Sequence, residues 1–256
     1  MVKIKLKIIC FCLLGFPFIS FSQSIVNTES MSTKTDSTFV FTTNLEGNYT
    51  TGNIELVQFN LANQLAYKKN KNLIRLFLNY EFISQDKETI SSDYTSQIRY
   101  SYTLKKNSLF AFIQGQKAIS LSLNSRYLAG FGYRHNLIKK GVNYLDVSFG
   151  PFYENELYLK GYPNEVHKIN YRSSLSIFSN FKISEKLQNN MVVYYQLNSE
   201  NLDDYRLYIE PRLVYSLEHF KIYTTLSYRY HSTPYIDIKK TDSQFLFGVT
   251  YDLGFN

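Results

Sequence analysis

A serine nucleophile needs a histidine base within reach, and on one face of a β-strand the economical spacing is His-x-Ser. None of the four histidines, His135, His167, His219 and His231, has a serine two residues on; those positions hold Leu137, Ile169, Lys221 and Thr233. His219 falls in an expected turn and the other three near strand ends, where an imidazole serves as an interfacial polar group. Two carboxylate pairs, Asp203-Asp204 and Glu154 with Glu156, fall at expected loops, where solvation accounts for them without glycosidase chemistry. No EF-hand spacing supports calcium at those loops. Gly-rich phosphate loops and Cys clusters are absent from the sequence. The chain reads as a protein without catalytic residues, metal ligands or a cofactor.

The charged residues that do form a pattern are the eight arginines. Arg75, Arg99, Arg126, Arg134, Arg172, Arg206, Arg212 and Arg229 all lie inside stretches where apolar and polar residues alternate, and all have the parity of the polar set. Acidic residues of the same parity include Glu46, Glu81, Asp146, Glu154, Glu210 and Asp252. Lysines collect instead at turns, as in Lys68-Lys69, Lys105-Lys106 and Lys139-Lys140. Arginine's planar fork binds carboxylates bidentately, so such a face can knit itself together. The candidate lining of an ionic interior is therefore Arg75, Glu81, Arg99, Arg126, Arg134, Asp146, Arg172, Arg206, Glu210, Arg212, Arg229 and Asp252.

The elements that must position these residues are strands. Alternation with period two predicts twelve, at about 38–50, 54–67, 73–84, 93–105, 108–118, 125–137, 143–154, 167–181, 189–199, 204–217, 220–231 and 242–256. In the last, Phe245, Phe247, Val249, Tyr251, Leu253 and Phe255 share one face, while Gln244, Gly248, Thr250, Asp252 and Gly254 share the other. One face suits hydrocarbon and the other water, the pattern of an all-β, antiparallel, up-and-down transmembrane barrel of about 12 strands. Phe77, Phe110 and Phe112 interrupt the alternation and leave their faces open. Every second connection is expected to be a short periplasmic turn (68–72, 105–107, 138–142, 182–188 and 218–219). The alternate ones, including 85–92, 119–124, 155–166, 200–203 and 232–241, are expected to be longer outer loops, although 51–53 is tight.

Composition agrees with this class. Hydrophobic content is 44%, too low for a helical membrane protein built from apolar runs of about 20 residues. Aromatic content is 17%, all Tyr and Phe, and tyrosine suits the two bilayer interfaces where barrels carry aromatic girdles. Three of the lysines behind the net charge of +7 are Lys3, Lys5 and Lys7, so the remaining excess is too small to call for nucleic acid.

Those lysines, the apolar run Ile8 to Ile19 and the small-residue stretch ending at Ser22 read as a signal peptide, residues 1–22, cleaved after Ser22. An N-terminal membrane anchor is the alternative, and the shortness of the run and Pro17 argue against it. Cys10 and Cys12 lie inside this segment and lack lipoprotein spacing, so the mature chain is expected to be thiol-free. Residues 23–37, rich in Ser and Thr, read as a flexible periplasmic segment ahead of the barrel at 38–256. Gly248, Tyr251, Leu253 and Phe255 match the terminal-strand signal read by the barrel assembly machinery, which with outer-membrane lipid is the expected partner.

Three short stretches carry a resemblance: Gly47-Asn48-Tyr49-Thr50-Thr51-Gly52-Asn53, Gly130-Phe131-Gly132-Tyr133-Arg134, and Phe149-Gly150-Pro151 followed by Tyr153-Glu154. On these the chain, over roughly Phe39 to Phe255, resembles the Gram-negative outer-membrane family catalogued as domain of unknown function 481, some of whose members are labelled salt-induced outer-membrane proteins. The resemblance implies a barrel and supplies no catalytic residues. The abundance of Asn, Lys, Ile and Tyr looks like the Bacteroidetes style of secreted protein.

The expected function is an outer-membrane barrel of structural or narrow small-solute pore type with an Arg- and acid-lined lumen. A larger diffusion porin, a lipid-modifying barrel enzyme and a soluble periplasmic barrel are the alternatives.

Overall fold

The computed structural model describes residues 27–28, 38–50, 55–159, 165–235 and 239–255. The signal-peptide reading for 1–22, most of segment 23–37 and the 51–53 turn lie outside the described residues. Twelve strands follow one another: β1 (Phe39–Thr50), β2 (Leu56–Lys69), β3 (Asn72–Gln85), β4 (Glu88–Leu104), β5 (Asn107–Ala118), β6 (Leu123–Lys140), β7 (Asn143–Leu159), β8 (Glu165–Lys182), β9 (Leu187–Asn198), β10 (Tyr205–Ser216), β11 (Lys221–His231) and β12 (Thr241–Phe255). Each pairs antiparallel with its neighbours in sequence, and β1 pairs with β12, from Phe39 opposite Phe255 to Gly47 opposite Phe247. The sheet is a closed barrel with no free edge, the only way a β-structure satisfies all its backbone groups in hydrocarbon.

At one end the strands are joined by tight connections, two of them Asn70–Lys71 and Lys105–Lys106. Asn70, Lys105 and Gly141 take positive φ there, as short hairpins require. The other end carries the longer links 199–204 and 232–240 and a 3₁₀ turn at Ile119–Leu121.

Two expected loops at that longer end are in part strand. Residues 85–92 are strand apart from a turn at Asp86-Lys87, both at positive φ, and residues 155–159 and 165–166 extend β7 and β8. The reason is local chemistry: 88–92 reads Glu-Thr-Ile-Ser-Ser, polar on both faces, so the strand continues without the apolar alternation that marks it elsewhere.

The outward set forms an apolar belt. Leu45, Ile98, Ile113, Phe131, Phe149 and Phe247, from strands all round the barrel, are exposed, Phe131 at 65% and Phe247 at 63%. Rings cluster near the loop-bearing end, with Phe59, Tyr80 and Tyr94 in one chain of contacts and Tyr195, Tyr205 and Tyr230 in another. Phe39 and Tyr67 meet at the opposite end, 4.7 Å apart.

The interrupting phenylalanines face inward, against small residues on neighbouring strands. Phe77 packs on Ala62. Phe110 and Phe112 lie over Gly132 and Gly130, where a Cβ would come within 2.5 Å of the Phe110 ring and 2.8 Å of the Phe112 ring. The alternation breaks because aromatic rings fill part of the interior, and glycine is the counterpart that makes room. Pro151 and Pro211 sit mid-strand facing outward; the β6–β7 ladder skips between Gly130–Phe152 and Tyr133–Phe149, and the β10–β11 ladder between Ile209–Tyr228 and Arg212–Thr225, where each proline lacks a donor.

Candidate functional site

Near the loop-bearing end, arginines from three alternate strands converge on carboxylates of β7. Glu154 and Glu156 occupy successive inward positions of β7 and are wholly buried, as are Arg126 on β6, Arg172 on β8 and Arg206 on β10. Arg126 Nε donates to Glu154 Oε1 at 2.8 Å, with Nη2 on the same oxygen. Arg172 Nε reaches Glu154 Oε2 at 2.7 Å, and Arg206 Nη1 reaches Oε1 at 2.8 Å. One carboxylate is thus shared by three guanidinium groups.

Glu156 takes the overflow. It accepts from Arg206 Nη2 at 3.2 Å on each oxygen and from the Tyr158 hydroxyl at 3.0 Å, and Arg126 Nε lies 3.3 Å away. The third carboxylate, Asp204, comes from the β9–β10 loop. Arg172 Nη2 donates to its Oδ2 at 2.6 Å, the Tyr235 hydroxyl donates to the same oxygen, and His231 Nε2 lies 2.9 Å from Oδ1. A carboxylate only accepts, so His231 carries its proton on Nε2. Asn170 and Asn198 fill the remaining contacts, Asn198 Nδ2 reaching Asp204 Oδ2 at 3.1 Å. Three positive and three negative groups leave the cluster close to neutral, with most oxygens engaged more than once. A patch of Leu121, Leu123 and Tyr158, with Tyr235 against it, closes over it.

Asp204 stands outside the strands, and its ionisation is set by these partners. Burial acts to raise its pKa, but hydrogen bonds from His231, Tyr235 and Arg172, together with the Arg172 charge, outweigh it and hold the carboxyl well below the usual carboxylate range. Burial pushes the Tyr235 phenol up.

A second group lies deeper. Arg212 Nη2 reaches Glu46 Oε1 at 3.0 Å and Glu210 Oε1 at 3.4 Å, and its guanidinium stacks 4.2 Å from the Tyr223 ring centre. Arg229 donates to Gln244 at 3.3 Å and faces the Tyr208 ring, and Gln58 donates to Glu81 at 2.8 Å. Toward the turn-bearing end, Arg134 pairs with Asp146 at 2.8 Å and lies over Phe178, and Arg99 lies 4.0 Å over Phe110. Arg75 and Arg99 are opposite one another on β3 and β4, both buried. Asp252 is half-buried and takes Lys221 Nζ at 2.5 Å. Among the described residues, the interior side chains line small cavities that include ones of about 80 Å³ and 60 Å³.

The terminal-strand residues divide by face. Tyr251 and Leu253 are exposed on the outside, whereas Gly248 faces inward beneath Tyr223, whose ring would lie 2.3 Å from a Cβ at that position. Phe255 closes β12 opposite Phe39. Gly248 thus has a packing reason of its own.

Several residues the sequence assigned to solvent belong to the buried cluster. Asp204 and Glu156 are not solvated loop carboxylates, and Glu154 takes the inward place its parity gave it rather than a loop: all three are at most 2% exposed, because β7 runs on past residue 154 and the 199–204 loop turns Asp204 inward. His231 is 6% exposed rather than interfacial. Sequence reasoning missed Tyr235, Tyr158, Asn170 and Asn198. The available clue was parity, since Glu154, Glu156 and Tyr158 follow one another on a single face of β7.

Catalytic geometry does not form around the histidines. Aspartate, histidine and serine occur together at this corner, but Ser232 Oγ donates to the Asp203 and Tyr205 carbonyls and accepts from Tyr205 N–H, away from the imidazole. His135 and His167 each contact one asparagine at the surface, Asn107 and Asn155. Among the described residues no group of three or more His, Cys, Asp or Glu side chains is placed to hold a metal ion.

The fold is that of outer-membrane barrels. The NanC porin superposes with a TM-score of 0.50 at 11% identity, covering 84% of this chain and 99% of that one. The translocator domain of the autotransporter NalP from Neisseria meningitidis gives 0.46 at 11% identity over 88% and 91%, and the KdgM porin, solved with disordered oligogalacturonate, gives 0.46 at 10% over 83% and 98%. At such identities the likeness is one of fold. A search of curated proteins finds no match. The model of the family described as "Protein of unknown function, DUF481" matches residues 43–253, nearly the whole barrel from the middle of β1 to the end of β12, and the chain belongs to that family.

Proposed function

We propose that the protein is an outer-membrane barrel of the narrow small-solute type, in which paired arginines and carboxylates form the constriction. The observation that carries this reading is the crowding of the interior: among the described residues, buried ion pairs and inward rings line cavities of about 80 and 60 Å³, room for water, ions and the smallest solutes. The apolar outward belt supports the bilayer as its surroundings, since charges facing lipid at mid-membrane cost about 2–4 kcal/mol each and the arginines avoid that face. Export through a cleaved signal peptide and insertion by the barrel assembly machinery belong to the same reading, with Tyr251 and Leu253 on the recognised outer face of the last strand.

Ion conductance in planar bilayers and swelling of protein-loaded liposomes test it together. The expected result is a small ion current, altered in ion preference by Arg126→Gln or Arg212→Gln, with no swelling in disaccharide. Free passage of disaccharides through the wild-type protein overturns the narrow reading, and an intact inserted barrel without current overturns the pore.

A further inference from the structure

The interior holds two residues from the chain ahead of the first strand. Asn27 and Thr28 precede β1 in sequence, yet both are buried, at 8% and 6% exposure. Asn27 Nδ2 donates to Glu210 Oε1 at 2.7 Å, a contact between residues 183 positions apart. Glu210 is a well-anchored acceptor, since it also receives the Tyr208 hydroxyl and Arg212. Thr28 lines the 80 Å³ cavity beside Gln97, Arg99 and Arg126, while Asn27 lines the 60 Å³ cavity beside Glu46, Glu81 and Arg229. The two residues therefore stand as a partition, one cavity on each side.

From this we infer that Asn27 and Thr28 form a resident plug of the barrel interior, latched by Asn27 on Glu210. An amide suits the latch because it donates to the carboxylate without adding charge to an interior already rich in it. The expectation of a free tail is replaced, at these two residues, by an internal contact. Occupancy of the interior does not depend on whether the barrel conducts.

The test uses the full chain with Thr28→Cys and with Cys10→Ser and Cys12→Ser, so that residue 28 carries the thiol, reconstituted in vesicles and exposed to a membrane-impermeant maleimide, with heat-modifiable migration on gels as the check of folding. Native barrels are expected to label far more slowly than heat-unfolded ones. Asn27→Asp, isosteric but repelled by Glu210, is expected to speed labelling at least about tenfold, the factor one charge-assisted hydrogen bond is worth. Adding Glu210→Gln should restore protection. Bilayer current should rise with Asn27→Asp and fall back in the double variant. Release that changes labelling without producing current keeps the plug and refutes the pore. Native labelling as fast as in the unfolded chain, or a folded Asn27→Asp barrel that labels no faster, overturns the plug.

Discussion

The two halves of the barrel interior neutralise the same residue type in different ways. At the loop-bearing end, Arg126, Arg172 and Arg206 share Glu154, with Glu156 and Asp204 completing the set. At the turn-bearing end, guanidinium groups meet ring faces, Arg99 over Phe110 and Arg134 over Phe178, and the carboxylates Asp146 and Asp252 each serve one partner cation. A shared carboxylate makes its arginines interdependent, whereas a carboxylate that serves one cation does not tie that cation to others. Removing one group should therefore be felt through the whole cluster in the first half and only locally in the second.

The largest effect is expected from Glu154→Gln. It leaves three buried arginines short of a partner, and breaking a buried pair of this kind costs about 3–5 kcal/mol, read as a shift in urea unfolding of the barrel in lipid vesicles. A cost no greater than that of a single surface pair would break the distinction between the halves. Double-variant cycles sharpen it: Arg126→Met and Arg206→Met, which touch the same oxygen, should be non-additive, whereas Arg206→Met and Arg134→Met should add.

Acid separates the halves by another route. Asp204 is held ionised below its unfolded range, so its contribution is complete above about pH 4 and is lost as pH falls toward the depressed native value. Acid unfolding followed by tryptophan-free near-ultraviolet dichroism should start at lower stability but depend less on pH below 4 in Asp204→Asn. An unchanged acid slope would show that Asp204 is not coupled to His231, Tyr235 and Arg172.

Smaller effects belong to the turn-bearing end. Phe110→Leu removes the ring under Arg99 and should cost about 0.5–2 kcal/mol beyond the lost packing. Lys221→Met breaks a half-exposed pair with Asp252 and should cost no more than about 1 kcal/mol.

How much of this was legible depended on whether two different surroundings flanked the strand. Where hydrocarbon lies on one side and an ionic interior on the other, as in β10 and β12, alternation located the strands to within about three residues. Beyond the belt, at 88–92, polar residues dominate both faces and the same backbone geometry left little trace in residue type. Phe77, Phe110 and Phe112 misled for the converse reason, since an inward ring over glycine or alanine looks like a parity error along one strand. The cluster joins β6, β7, β8, β10 and two loops, with Arg172 alone reaching Glu154, 18 positions away, and Tyr235, 63 positions away. Only strand register brings them together, and register across a barrel is not a local property. Asn27 is the extreme case, because nothing in a Ser- and Thr-rich stretch marks one asparagine as the partner of Glu210.

The most direct test of the central claim, an apolar exterior in lipid around an ionic interior, is fluorescence quenching in vesicles whose acyl chains carry bromine. A fluorophore on Phe131→Cys should be strongly quenched, and one on Ser148→Cys, which faces inward at 4% exposure, should be nearly unaffected. Equal quenching at the two positions, or quenching of the Ser148 label alone, would contradict it.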